Sequence, residues 1–252
     1  RSGAQGFTAQ PTLSTIAITD LVKLSQPSLA QSITGTIAQS KGNFSGTLSG
    51  DVARSLSGPG DILIKDFVLK GVNVPNLILT KVSGIPLLEG TLRANIAPEH
   101  QKYFNDPDTR VRELRADYVL GNGVINLKSL LAKSDAFTLE SNGTLSMSGD
   151  INLASTFTLN AEISAALAKR SKTVAAMLTP QKMLAIPVVI QGSSPKLIVL
   201  PDISKLLQGA GGKILEQKAG ALLEKALGGK KDPNNKKDQS GKKNPLGGIL
   251  GF

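Results

Sequence analysis

The sequence predicts a β-rich α+β fold: a twisted antiparallel sheet, meander-like or groove-like, with short helices and a C-terminal amphipathic helix. Three observations carry this prediction. Apolar and polar residues alternate through much of residues 12–200, Gly, Asn, Asp and Ser punctuate those runs at short intervals, and Ala-rich helical stretches only interrupt them. On this pattern residues 1–200 form one β-rich domain, residues 201–228 an amphipathic helical segment and residues 229–252 a disordered basic tail.

The clearest strand signal is FTLESNGTLSM at 137–147, where Phe137, Leu139, Leu145 and Met147 are apolar and Thr138, Glu140, Asn142, Thr144 and Ser146 polar. Period two over such a length fits a half-buried strand and no helix. Residues 151–159 repeat it, with Ile151, Leu153, Phe157 and Leu159 on the apolar side. A two-residue loop would set polar Ser148 against apolar Ile151. A three-residue loop over 148–150 pairs Met147 with Ile151 and Leu145 with Leu153, and is preferred.

Asn122-Gly123 is a strong two-residue hairpin signal, because both positions tolerate positive φ. It pairs Leu120 with Ile125 and Tyr118 with Leu127. In DILIKDFVL, a turn at Lys65-Asp66 pairs Ile64 with Phe67 and Ile62 with Leu69. Consecutive antiparallel strands with one apolar face make a meander.

Helices are predicted over 97–104 and within 161–184, where AEISAALAKR and KTVAAML have good helix propensity. Asp202 is a candidate N-cap for a further segment, which Gly209, Gly211 and Gly212 divide in two. Over 213–227, Ile214, Leu215, Leu222, Leu223 and Leu227 share one broad side. That side either caps the open end of the sheet or docks on a membrane or partner. Capping is preferred, since Glu216 and Glu224 dilute a basic face. The stretch 228–244 is too polar and too rich in Lys, Gly and Asn to bury a core.

Composition excludes much chemistry. With no Cys, no Trp and one His, a nucleophilic thiol and a Cys/His metal site are ruled out, and no catalytic residue, metal or cofactor is predicted. A net charge of +10 points to an anionic partner. The aromatics sit in the apolar alternation rather than among the Lys and Arg, so a membrane surface is preferred and nucleic acid is not expected. No apolar run reaches the ~18–20 residues that span a bilayer, and any anchor or signal is expected upstream of Arg1.

Single motifs carry little. GAGGK at 209–213 lacks the phosphate-loop frame and its Ser/Thr. His100 has no second His and no Cys with which to share a metal, and is read as a surface residue on a short helix. Asp106 and Asp108 flank Pro107 in an Asx-type turn. Nothing in the sequence brings Glu89 and Glu113 together. The Lys-Lys pairs (Lys230, Lys231, Lys236, Lys237, Lys242, Lys243) either solvate a tail or attract anionic headgroups, at about 1 kcal/mol per Lys near such a surface.

Three segments together carry a resemblance. SGTLSGDVARSLSGPGDILIKDFVLKGVNVP at 45–75, the NGV-led stretch at 119–159 and PVVIQGSSPKLIVLPDISKLL at 187–207 resemble, in that order, the C-terminal region of the AsmA family. Phe67 stands where that family's turn usually has Gly. The resemblance implies a periplasmic domain of a bacterial envelope protein, anchored to the inner membrane, without catalytic residues, and linked to outer-membrane biogenesis and lipid transport. It also implies a β-groove that shields acyl chains. The lipid-facing candidates are then Ile62, Ile64, Phe67, Leu69, Tyr118, Leu120, Ile125, Leu127, Phe137, Leu139, Leu145, Met147, Ile151, Leu153, Phe157 and Leu159. The implied partners are phospholipid or another membrane lipid, the membrane surface and envelope proteins; the alternative is an assembly factor that transfers no lipid. Periodicity alone leaves two readings of the apolar face open, a closed core beneath helices and an open groove.

Overall fold

The structure, a computed structural model, describes residues 5–25, 27–83, 96–193, 196–202 and 205. Its N-terminal part runs β1 (Gly6–Ala9), β2 (Thr12–Leu13), β3 (Ile16–Ala17), α1 (Ile18–Ser25), α2 (Pro27–Ala30), β4 (Ile33–Gly42), β5 (Phe44–Thr47), α3 (Val52–Ser55) and β6 (Gly58–Leu69). The chain continues through α4 (Val74–Ser83), α5 (Pro98–Asn105), β7 (Thr109–Gly121), β8 (Val124–Lys133), β9 (Phe137–Ser146) and β10 (Asp150–Leu159). It ends in α6 (Ala161–Arg170), α7 (Lys172–Ala176), β11 (Ala185–Ser193) and β12 (Lys196–Pro201). The C-terminal helix over 201–228 lies almost wholly outside the described residues, and the tail over 229–252 entirely so.

The strands form one large twisted antiparallel sheet of order β12-β11-β10-β9-β8-β7-β6-β4-β2, with β3 also on β4, while β1 and β5 pair apart from it. From β6 to β12 every neighbour in space is the neighbour in sequence, so the predicted meander is present. Its tightest link is the β7–β8 hairpin. Asn122 (φ 53°) and Gly123 (φ 72°) are both left-handed, as a type I′ turn requires. Tyr118 pairs with Leu127 and Leu120 with Ile125, as the sequence predicts.

Two register expectations fail. DILIKDFVL is not a hairpin, so Ile64 does not pair with Phe67, nor Ile62 with Leu69. It lies within the single strand β6, paired with β4 on one side and β7 on the other. Asp66 adopts φ 50° as an extra residue against β4, whose pairing jumps from Thr34–Val68 to Thr36–Lys65. A bulge and a turn both bring Ile62, Ile64, Phe67 and Leu69 to a common face, but the bulge keeps two hydrogen-bonded ladders. The β9–β10 turn is also displaced from its predicted place: the residues between the strands are 147–149 rather than 148–150, Leu145 pairs with Ile151, and Leu153 with Gly143. Ser146 Oγ accepts from the N–H groups of Ser148 and Asp150, and Ser146 O from that of Gly149. Met147 is drawn away instead, its N–H donating to Gly123 O at 2.8 Å. The shift is two residues, so every side chain keeps its predicted face.

Helices α5, α6 and α7 lie close to their predicted places. Asn160 caps α6, its Oδ1 accepting from Ile163 N–H at 2.8 Å, and Ser171 caps α7. Helix α4 is unpredicted. Val, Ile and Leu make up half of VPNLILTKVS, Pro75 stands in the first turn, and Asn73 Oδ1 accepts from Asn76 N–H at 2.7 Å. Ile78, Leu79 and Val82 of α4 are wholly buried.

This helix shows how far the sheet coils. Val74 N–H donates to Thr109 Oγ1 of β7, yet α4 also packs against β12. In a flat sheet those strands would lie about 24 Å apart, against a helix of about 15 Å. The sheet therefore curls around α4, and the apolar side chains of both form one core with α5, α6 and α7.

A close backbone approach marks Gly143 in β9. With φ at +139°, a Cβ there would stand 2.1 Å from Asn152 O, whereas at Gly123 the nearest atom it meets is Arg54 Cγ at 3.4 Å. Gly143→Ala is expected to cost about 3 kcal/mol or more, and Gly123→Ala about 1–2 kcal/mol from the left-handed conformation alone. Urea unfolding of the two variants checks the ranking; equal losses would contradict this β9–β10 geometry.

Candidate functional site

The candidate site is the apolar face of the sheet, and the observed register resolves it into rows. Nearest the hairpin turns, Leu120, Ile125, Leu145, Ile151, Gly192 and Leu197 stand side by side across β7 to β12. The next row is Tyr118, Leu127, Gly143, Leu153, Ile190 and Val199. Behind it come Ala116, Leu130, Ser141, Ser155 and Val188, then Leu114, Ala132, Leu139, Phe157 and Ile186. Ile62 and Ile64 extend these last two rows onto β6, and Phe67 pairs with Val111, and Leu159 with Phe137, at the helical end.

Sixteen residues predicted on sequence grounds to face lipid divide between two environments. At the helical end Phe137, Phe157 and Leu159 are buried, with the rings of Phe137 and Phe157 tilted 5.2 Å apart, and Leu153, in the second row from the turns, is buried too. Here the apolar face is a closed core. Ser164, wholly buried in α6, seals it by donating to Leu159 O and accepting from Leu184 N–H. Ile64, Leu120 and Leu127 are buried as well, and Phe67, Leu69 and Leu139 half-buried. Towards the turns the cover thins: Ile62, Tyr118, Ile125, Leu145, Met147 and Ile151 are all half-buried. The ring of Tyr118 packs across Gly60 and stacks on Phe44 at 6.4 Å. Burial pushes its phenol pKa up.

A polar pair interrupts the apolar rows. Ser141 and Ser155 are opposite one another, buried, and share a hydrogen bond of 2.8 Å. Each satisfies the other, so the pair is tolerated in the core.

Two cavities flank the face. One of about 430 Å³ lies at the helical end, where Phe67, Val111, Phe137 and Tyr103 meet charged residues. Its guanidiniums are already engaged: Arg110 with Asp106 and Asp108 at 3.0 and 2.9 Å, Arg112 with Asp135 at 2.9 Å. The Asp108 N–H bonds Asp106 Oδ1 at 2.9 Å, the Asx turn the sequence predicts. That bond, and then Arg110, hold the Asp106 carboxyl below the usual carboxylate range. The second cavity, of about 450 Å³, is lined by Arg115, Lys128, Glu140, Thr156 and Lys205. Lys205 N–H donates to Asp202 Oδ1 at 3.1 Å; the helix for which Asp202 is the candidate cap lies outside the described residues.

His100 corrects a sequence reading: it is buried, 9% exposed, rather than a surface residue. Glu89 and the six tail lysines, Lys230, Lys231, Lys236, Lys237, Lys242 and Lys243, lie outside the described residues. No helix among the described residues is long and apolar enough to cross a membrane. Comparisons with protein-family models, with curated proteins and with solved structures give no match.

The two environments separate by mutation. Phe157→Asp places an unpaired carboxylate at a site with no exposure and is expected to destabilise by about 3–5 kcal/mol. Leu145→Asp can hydrate its charge at the half-buried row and is expected to cost about 1–2 kcal/mol. Thermal melts of both proteins measure the difference; similar losses would mean that the outer row is closed core as well.

Proposed function

We propose that this chain is a non-enzymatic domain of AsmA type in a bacterial envelope protein, and that it holds phospholipid acyl chains on the less covered rows of its sheet. One observation carries the reading. The apolar face is least covered along its outermost row, where Ile125, Leu145, Ile151 and Leu197 are half-buried and span five strands from β8, with Gly192 between the last two. A row of this kind offers dry contact to a flexible chain at about 0.8 kcal/mol per buried CH₂, and no bond need be made or broken. The AsmA resemblance places such a domain in the periplasm, tethered to the inner membrane by a segment upstream. The lysine-rich tail adds attraction to anionic headgroups.

A second reading keeps the envelope setting and replaces lipid with protein. Ile198 and Leu200 on β12 are 54% and 47% exposed, at the last strand of the sheet, where an assembly partner would add to the edge.

Organic extraction and mass spectrometry of the purified full chain test the proposal. Phospholipid is expected to copurify with the wild-type protein and to be lost from Leu145→Asp and Ile151→Asp proteins that still melt cooperatively. Retention of lipid by both variants would overturn the site. A wild-type protein free of lipid would leave the assembly reading in its place. Flotation with anionic vesicles tests the tail: salt-sensitive binding should disappear from a chain ending at Leu200.

A further inference from the structure

The single histidine of this sequence stands where three metal-binding side chains converge, away from the outer rows of the sheet. Glu99 and His100 occupy the first turn of α5 and Glu162 that of α6. His100 is nine-tenths buried, the two carboxylates are exposed, and one ligand atom from each residue lies within 4.8 Å of the other two.

The spacing is informative. His100 Nε2 and Glu162 Oε1 are 3.4 Å apart, longer than the ~2.7–2.9 Å of a charge-assisted N–H···O bond. Two atoms bound tetrahedrally to one zinc ion at ~2.0–2.1 Å stand about 3.3–3.4 Å from each other. The separation of this pair matches the bite of a metal ion, and Glu99 stands close enough to complete the set.

We propose that His100, Glu99 and Glu162 form a binding site for a divalent transition-metal ion of the zinc class, tying α5 to α6. Imidazole with two carboxylates suits a borderline ion over the hard cations calcium and magnesium, which prefer oxygen alone. Two carboxylates match the charge of a divalent ion, and before it binds they outweigh the roughly half positive charge at each of the two helix N-termini. Three protein ligands leave a coordination position for water, and the exposed carboxylates give the ion a way in. The site staples the helices that close the core and does not depend on the lipid reading.

The composition makes the test clean. Without Cys and with one His, imidazole coordination by an untagged chain must pass through His100. Calorimetric titration with Zn²⁺ is expected to show one ion per chain, and the lone imidazole NMR signals should move with that stoichiometry. At free zinc a hundredfold above Kd, the melting temperature should rise by about 5 °C. Glu162→Gln and Glu99→Gln, both surface changes, should each weaken binding about tenfold or more, and His100→Gln should abolish it with the far-UV spectrum retained. Absence of stoichiometric binding by the wild-type protein would overturn the proposal, as would undiminished binding by Glu162→Gln. A stability that depends on pH but not on zinc would reduce the cluster to a His–Glu ion pair and overturn it equally.

Discussion

The period of two along a strand governs this molecule. Side chains of a strand alternate between faces, so a sheet this wide keeps one apolar face only if every strand stays in phase with its neighbours. Bulges preserve that phase here. Asp66 lets β6 pass its apolar face from Ile62 and Ile64 to Phe67 and Leu69, while β7, paired with it, passes from Ala116 and Leu114 to Val111 and Thr109. In β8 the pairing with β9 jumps from Leu127–Gly143 to Leu130–Ser141, so Leu127 and Leu130 meet the same core. Without these extra residues, half of each strand would turn its apolar side chains to the opposite face.

A face kept in phase must still be covered, and helix α4 is the principal cover. It is pinned to β7 through Val74 and Thr109 and packs as far as β12, so the sheet coils instead of lying open. Its buried Ile78, Leu79 and Val82 meet the same core as Phe157, Ile163 and Leu167. Burial of this kind is worth about 1.5–3 kcal/mol for each large side chain. Helices α6 and α7 add to the same end, because each follows or precedes a strand end there. The cover is consequently unequal: Phe137, Phe157 and Leu159 near the helices are core, while the row near the turns is buried at Leu120 on β7 and half-buried from β8 to β12. That inequality, rather than the apolar face itself, distinguishes a place where a ligand chain can lie from a place where only the protein's own side chains fit.

Polar groups within the core obey the same economy of satisfaction. Ser141 and Ser155 satisfy each other, and Ser164 joins a strand end to the start of β11. His100 differs, because the carboxylate facing it stands at 3.4 Å, a distance that suits a shared ion better than a shared proton. A buried imidazole between two helix starts therefore has a chemical use separate from that of the sheet.

The sequence by itself determined the period, and with it which residues share a face. It also determined the type I′ hairpin, since Asn122-Gly123 tolerates the left-handed backbone locally, and the approximate places of α5 to α7, which follow local helix propensity. Only the tertiary structure decided the rest. DILIKDFVL has the same pattern as a hairpin or as a bulged strand, and the choice fell to ladders with β4 and β7, distant in sequence. The β9–β10 turn kept its phase but not its position, because Ser146 gathers the turn N–H groups and Gly123 takes that of Met147. Helix α4 starts on local signals, Pro75 and the Asn73 cap, but its place over the sheet is set by contacts with β7 and β12. Burial of Phe157 against half-burial of Leu145, in residues of identical alternation, depends on which helices lie above them. Local pattern fixes the face a side chain points to; what occupies the space in front of that face is set by chain that is far away in sequence.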